Sequence, residues 1–280
     1  MATTQQAAER RANGEKRTAN GGLLSRLRSY CIFVPLIYLY TGVMGSLSLL
    51  SSLFDRDGQI QHWFAVHWAK MILKTAGVRV QIDGLAHIDP AQPAVYAANH
   101  LSALDIPVLY ASLPVQFRIL AKRELFGYPF LGWHLKRSGQ IPIEQGDARA
   151  SLRSLNHASA SLRNGTPLVI FPEGGRSPDG HLRDFMGGAF YMAIKAQAPV
   201  VPIVLVGTYE LLPMNSFYLH PGRVEMIIGE PIQTTGMGPR QMDELAARVR
   251  RIMADLYYSR AQRPAPQVIA NVSARGSVAP

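Results

Sequence analysis

Residues 30–54 carry no charged side chain, a run long enough to cross a bilayer and far longer than a strand. In any fold, most of its apolar surface must be sheltered by lipid or by protein. The run is too long for a signal peptide, and no cleavage site of small residues follows it. Pro35, Gly42 and Gly45 are expected to interrupt a helix here, and Ser46, Ser48, Ser51 and Ser52 dilute its second half. Arg10, Arg11, Lys16, Arg17, Arg26 and Arg28 precede the run, whereas Asp55, Arg56 and Asp57 follow it. A single crossing would therefore leave the C-terminal bulk outside the cytosol. A re-entrant or interfacial insertion keeps both flanks on one side, and is the expected arrangement.

The next segment has a helical period. Ile60, Trp63, Phe64, His67, Trp68, Met71 and Ile72 share one face, with Gln61, Lys70 and Lys74 off it. Such a face suits either the headgroup boundary of a membrane or the protein's own core. Residues 23–76 are thus expected to form membrane-associated helices. Residues 1–22 are polar and basic and read as a disordered tail, and residues 262–280, rich in Pro, Ala, Ser and Gly, read as a flexible one.

From Val78 the pattern changes to short strands alternating with helices. Strands are predicted over 78–82, 94–98, 117–121, 168–171, 200–206 and 223–228, and helices over 106–111, 148–163, 188–198 and 242–258. Several strands are apolar throughout, which predicts an α/β domain over 77–261 with a largely parallel central sheet flanked by helices. Sites in such sheets gather beyond the carboxyl ends of the strands.

The net charge of +10 points to an anionic partner. Nucleic acid is disfavoured, because the aromatics sit in apolar runs and no recognised nucleic-acid module is present. Cys31 is the single cysteine, so neither an internal disulfide nor a cysteine-rich metal site can form. His62, His67, His134, His157, His181 and His220 lack metal-ligand spacing, and no metal is expected. Glu144 and Asp147 read as loop carboxylates.

Two short stretches carry the chemistry. His100 follows an apolar strand, and Asp105 lies close enough in sequence to hold one imidazole nitrogen while the other takes a proton. Ser102 lies between them but lacks the Gly-x-Ser-x-Gly elbow of a serine nucleophile. The second stretch, Phe171-Pro172-Glu173-Gly174-Gly175-Arg176-Ser177, also follows a strand. Its glycines allow close backbone approach to a ligand, and Arg176 offers a planar fork suited to phosphate.

In order and spacing these stretches resemble the glycerolipid acyltransferase family. His100 to Asp105 is similar to that family's His-four-residues-Asp motif, and residues 171–177 to its Phe-Pro-Glu-Gly-Thr-Arg-Ser motif. Residues 121–133 with 141–143 resemble the block that shapes the acceptor site, and residues 201–204 the fourth block. The resemblance covers residues 78–231 and looks closest to the bacterial enzymes that acylate 1-acyl-glycerol-3-phosphate.

It implies direct acyl transfer from acyl-CoA or acyl-carrier protein to the free hydroxyl of that acceptor, forming phosphatidic acid for phospholipid synthesis without another cofactor. It implies His100 as the base and Asp105 as its support. Arg176, with Lys122, would bind the phosphate, and Glu173 would bond an acceptor hydroxyl or brace Arg176 and the Gly174-Gly175 turn. Backbone N–H groups near Pro202 and Ile203 are expected to receive the oxyanion. The partners implied are membrane lipids, the thioester donor and a lysophospholipid, at the cytoplasmic face of the inner membrane. Gly175 stands where the family has Thr, and Met186-Gly187 where it has Lys or Arg. These departures leave open another lyso-lipid acceptor, such as a lyso-ornithine lipid, or a noncatalytic lipid-binding relative. Lys122, Arg123, Arg176 and Arg183 remain to supply positive charge.

Overall fold

The computed structural model describes residues 23–55, 57–144, 147–261 and 263–266. The expected basic tail at 1–22 and most of the C-terminal tail lie outside the described residues.

Helix α1 (Leu23–Arg28) runs through a π-helical turn (Ser29–Phe33) into α2 (Val34–Ser51). Contrary to expectation, neither Pro35 nor Gly42 nor Gly45 breaks it. Pro35 sits at the start of α2, where the wider π turn, closed by Val34 N–H to Ser29 O, takes up the missing amide. The chain then doubles back. Asp55 accepts from the Gln59 and Gln61 N–H groups at the start of α3 (Gln59–Ala76), and Trp68 Nε1 donates to Thr41 Oγ1 of α2 at 2.9 Å.

Helix α3 buries Gln61, Ala69, Ile72, Leu73 and Ala76, while Ile60 and Trp63 face outward. The buried face is therefore rotated from the expected one and takes in Gln61. The small residues Ala69 and Ala76 allow close packing on the sheet, so that face and not the aromatic one turns inward.

Seven strands follow in the spatial order β1-β7-β6-β2-β5-β3-β4. They are β1 (Val78–Asp83), β2 (Val95–Ala98), β3 (Arg118–Lys122), β4 (Ile141–Ile143), β5 (Leu168–Ile170), β6 (Val200–Val206) and β7 (Gly222–Ile228). β6, β2, β5, β3 and β4 are mutually parallel. β7 pairs antiparallel with β6 and parallel with β1. The sheet is thus mixed and mostly parallel.

Alternate side chains enter two cores. Tyr96 and Ala98 join Ile72, Leu73, Leu109 and Phe117 on the α3 side. Val95 and Ala97 join Leu162, Ile194, Val249 and Met253 on the other. The first face is covered by α3 and α4 (Asp105–Ser112), and the second by α6 (Ala148–Arg163), α7 (Tyr191–Ala196) and α9 (Met242–Arg260). Two short helices escape the periodicity: α5 (Leu131–Arg137) and α8 (Thr208–Leu211). The expected helix over 188–198 begins instead as a 3-10 turn, Gly187–Phe190, and yields α7 only from Tyr191.

Candidate active site

The central parallel strands end on one edge of the sheet, and the candidate residues lie just beyond. Three residues past the paired Ala97 and Ile170, His100 and Glu173 stand level with each other. Lys122 ends β3, three residues past Ile119, which pairs with Val169 of β5. β3 is two strands from β2, so Lys122 starts about 10 Å from the His100 backbone.

His100 and Asp105 meet as the spacing predicts. The His100 Nδ1 and Asp105 Oδ2 are 2.8 Å apart. The same Asp105 oxygen accepts from the Leu101 N–H at 2.7 Å and the Ser102 N–H at 2.8 Å. With Asp105 fully buried and accepting, Nδ1 carries the proton and Nε2 is left as the acceptor. Phe171 stacks beneath the imidazole, with ring centroids 4.1 Å apart.

The backbone of His100 is clamped as well. Its N–H donates to Glu173 Oε1 at 2.9 Å, and its carbonyl accepts from the Ser177 N–H at 2.8 Å. The Glu173 Oε2 accepts from the Arg183 N–H at 3.0 Å. Glu173 therefore braces backbone amides of His100 and Arg183. Among the described residues no hydrogen bond or ion pair joins it to Arg176. Burial is the main cause that raises the Glu173 carboxyl to about pKa 7, opposed by these two N–H donors.

Asn99 was not singled out by its sequence pattern, yet it holds the edge together. Its Nδ2 donates to Leu205 O at 2.9 Å and its Oδ1 accepts from Leu205 N at 2.7 Å. A fully buried amide thus bridges β2 and β6 where regular pairing ends. Its signal was a polar residue directly after an apolar strand and before His100. Ser102 Oγ donates to Leu212 O and accepts from Leu104 N–H, a structural role that leaves it away from nucleophilic chemistry.

The expected oxyanion donors are corrected by the sheet. Pro202 has no N–H, and Ile203 lies within β6 where that strand pairs on both sides, opposite Ala98 and Ile228. These groups belong to the ladder and do not line the site.

The cations divide. Arg123 pairs with Glu144, and Asp147 caps α6 through the Arg149 and Ala150 N–H groups. Arg176 is half-buried and makes no ion pair among the described residues, and Lys122 is exposed. The Arg183 Nη1 lies 3.4 Å from where a Cβ on Gly175 would stand, so the residue in place of Thr leaves room for this guanidinium. Gly187 lies against Asp243, where a Cβ would fall 1.8 Å from Oδ1.

A family model described as Acyltransferase matches residues 79–206, the stretch that contains every residue above from Asn99 to Leu205. A 1-acyl-sn-glycerol-3-phosphate acyltransferase of Pseudomonas aeruginosa is 31% identical over 220 residues, covering 75% of this chain and 83% of that protein. A chloroplastic enzyme of the same name from Brassica napus is 34% identical over 218 residues, covering 75% of this chain but only 62% of its own length. The crystal structure of the 1-acyl-sn-glycerophosphate acyltransferase of Thermotoga maritima superposes with a TM-score of 0.66 at 26% identity, covering 93% of this chain and all of that one. The chain belongs to the glycerolipid acyltransferase family.

Proposed function

We propose that this protein transfers an acyl group from acyl-CoA or acyl-carrier protein to the free hydroxyl of 1-acyl-glycerol-3-phosphate, forming phosphatidic acid. The observation that carries this reading is the His100–Asp105 pair, with Nδ1 held by the carboxylate and Nε2 left to accept. Nε2 takes the proton of the acceptor hydroxyl as its oxygen attacks the thioester carbonyl. The C–S bond then breaks, and the imidazolium, steadied by Asp105, returns the proton to the leaving thiolate. No acyl-enzyme is formed, in keeping with the engaged Ser102 hydroxyl.

Arg176, Arg183 and Lys122 bind the acceptor phosphate. The support is their placement along one sheet edge, with Arg176 and Arg183 flanking Gly175 and free of ion pairs among the described residues. A second reading keeps the chemistry and changes the acceptor to another lyso-lipid, such as a lyso-ornithine lipid. It is favoured by the uncharged Met186-Gly187 pair, which stands where the family has Lys or Arg.

Membrane association is supported by the apolar helix over Arg26–Ser51, whose most apolar 18-residue stretch is only 6% buried, unlike the mostly buried core helix of a water-soluble protein. The site lies at the cytoplasmic face, on a helix pair that enters one leaflet without crossing. Two contacts support this geometry. Ser29 Oγ bonds Phe217 O and Leu219 N–H near one end of the hairpin, and the Asp57 carbonyl accepts from Arg118 Nη2 beyond its tip. The chain is thereby tied to the α/β domain both before and after α2, in keeping with a helix that lies along it.

The test is purified protein with labelled acyl-CoA and a panel of lyso-lipids. We expect lysophosphatidate to be acylated at least tenfold faster than phosphate-free acceptors. A preference for a phosphate-free acceptor would reject the substrate assignment.

A further inference from the structure

The segment between β3 and β4 turns apolar side chains outward, away from both cores of the sheet. Tyr128, Phe130, Leu131 and Trp133 are all exposed, Phe130 by 67% and Trp133 by 54%. Contiguous exposure of this kind marks a contact surface rather than ordinary scatter. Phe130 is also held in an uncommon backbone state, with φ 59° and ψ −59° and the Leu131 N–H donating to Pro129 O at 2.6 Å. This is a γ-turn of the rare, strained form, in a bulky residue instead of a glycine. It places the Phe130 ring 5.2 Å from that of Trp133 at the tip of the loop. Strain at a solvent-facing aromatic tip contributes nothing to the core, which points to a use outside it.

What covers the tip can be read from its neighbours. Helix α5 leans on the end of α2 through Ser48 Oγ and His134 Nδ1, 3.3 Å apart. Leu49, Ser52 and Leu53 of the α2 end share one hollow with Trp133, Lys136 and Arg137. The loop is therefore continuous with the outward apolar stripe Leu39, Val43, Leu47 and Leu50 of α2. Aromatics at the tip with cations one turn behind match the layering of an anionic bilayer surface.

We propose that residues 128–133 are a second lipid contact, in which the Phe130 and Trp133 rings enter the acyl-chain boundary while Lys136 and Arg137 meet anionic headgroups. The loop leaves the sheet at Lys122, on the edge that carries His100, so its docking sets the mouth of the site against the bilayer. This inference rests on the membrane placement proposed above, and the test below tells failure of the one from failure of the other.

Cys31 is the single cysteine, so a Cys31→Ser background allows one fluorophore to be placed at will. Full-length protein with Phe130→Cys carries an environment-sensitive nitrobenzoxadiazole label, and Glu244→Cys, exposed on α9, serves as the control. Each is mixed with vesicles of phosphatidylglycerol and phosphatidylethanolamine, with and without acyl-chain nitroxide lipid. The expected result is a severalfold brighter, blue-shifted emission at 130, quenched by the nitroxide, and no change at 244. A Trp133→Cys variant read the same way guards against a local effect of replacing Phe130. Protein that sediments with vesicles while labels at 130 and 133 behave like the one at 244 overturns the lipid assignment and points to a protein contact. Protein that fails to sediment overturns the membrane placement itself, and this inference with it.

Discussion

Every polar atom of His100 but one is tied down: Nδ1 to Asp105, the N–H to Glu173 and the carbonyl to Ser177. The remaining Nε2 is the only group left to move a proton. The His100–Asp105 pair was legible in sequence because its partners are five positions apart and local turn geometry suffices to join them. The role of Glu173 was not, because its partners are backbone amides that no side-chain pattern announces.

Glu173 gives stability a pH dependence whose sign follows from burial. Its carboxyl ionises near 4.5 when unfolded and near 7 when folded. Between those values the folded state binds the extra proton, so stability falls as pH rises through that window. The full shift corresponds to about 3 kcal/mol as an order of magnitude. Glu173→Gln removes the titration, and we expect the slope of melting temperature against pH between about 4.5 and 7 to flatten. An unchanged slope would show that other groups carry it.

At the scale of elements, the carboxyl edge depends on two strands being stapled where their ladder ends. Asn99→Ala leaves the Leu205 N–H and carbonyl without their buried partners. We expect a loss of about 2–3 kcal/mol, read as a fall in melting temperature of roughly 5–10 °C. A melting temperature within a degree of the wild type would dismiss the staple. The Asn99–Leu205 bond spans 106 positions, so only the folded chain reveals it.

The central strands β2, β5 and β6 were legible because uniformly apolar runs are hard to place elsewhere, whereas β4, three residues long with Pro142 at its centre, was not predicted. The direction of β7 was not, since alternation along a strand looks the same whichever way its neighbour runs. Helix α2 was misjudged for a different reason: Pro35 breaks a helix only where its amide is needed, and a π turn at the helix start removes that need.

For the whole molecule, α2 and the 128–133 loop form one apolar side, while the α/β domain holds the site at the edge beside it. Leu39 and Val43 are exposed on α2, so Leu39→Lys with Val43→Lys should leave melting temperature unchanged. In lipid each charge costs about 2–3 kcal/mol. We therefore expect the double variant to shift at least tenfold from the vesicle pellet to the supernatant, and equal sedimentation would contradict the one-leaflet placement. The sequence-level choice between insertion and crossing turned on the interrupted, serine-diluted run and on flanking charge, whereas the contacts at Ser29 and Asp57 are tertiary and invisible to it.

The most direct test of the account is acyl transfer to lysophosphatidate in vesicles by wild-type protein and by His100→Ala, compared at equal folded, membrane-bound protein. Loss of the base predicts a fall in kcat of about 10²–10⁴-fold with melting temperature and sedimentation retained. Acyl transfer at the wild-type rate by His100→Ala would contradict it.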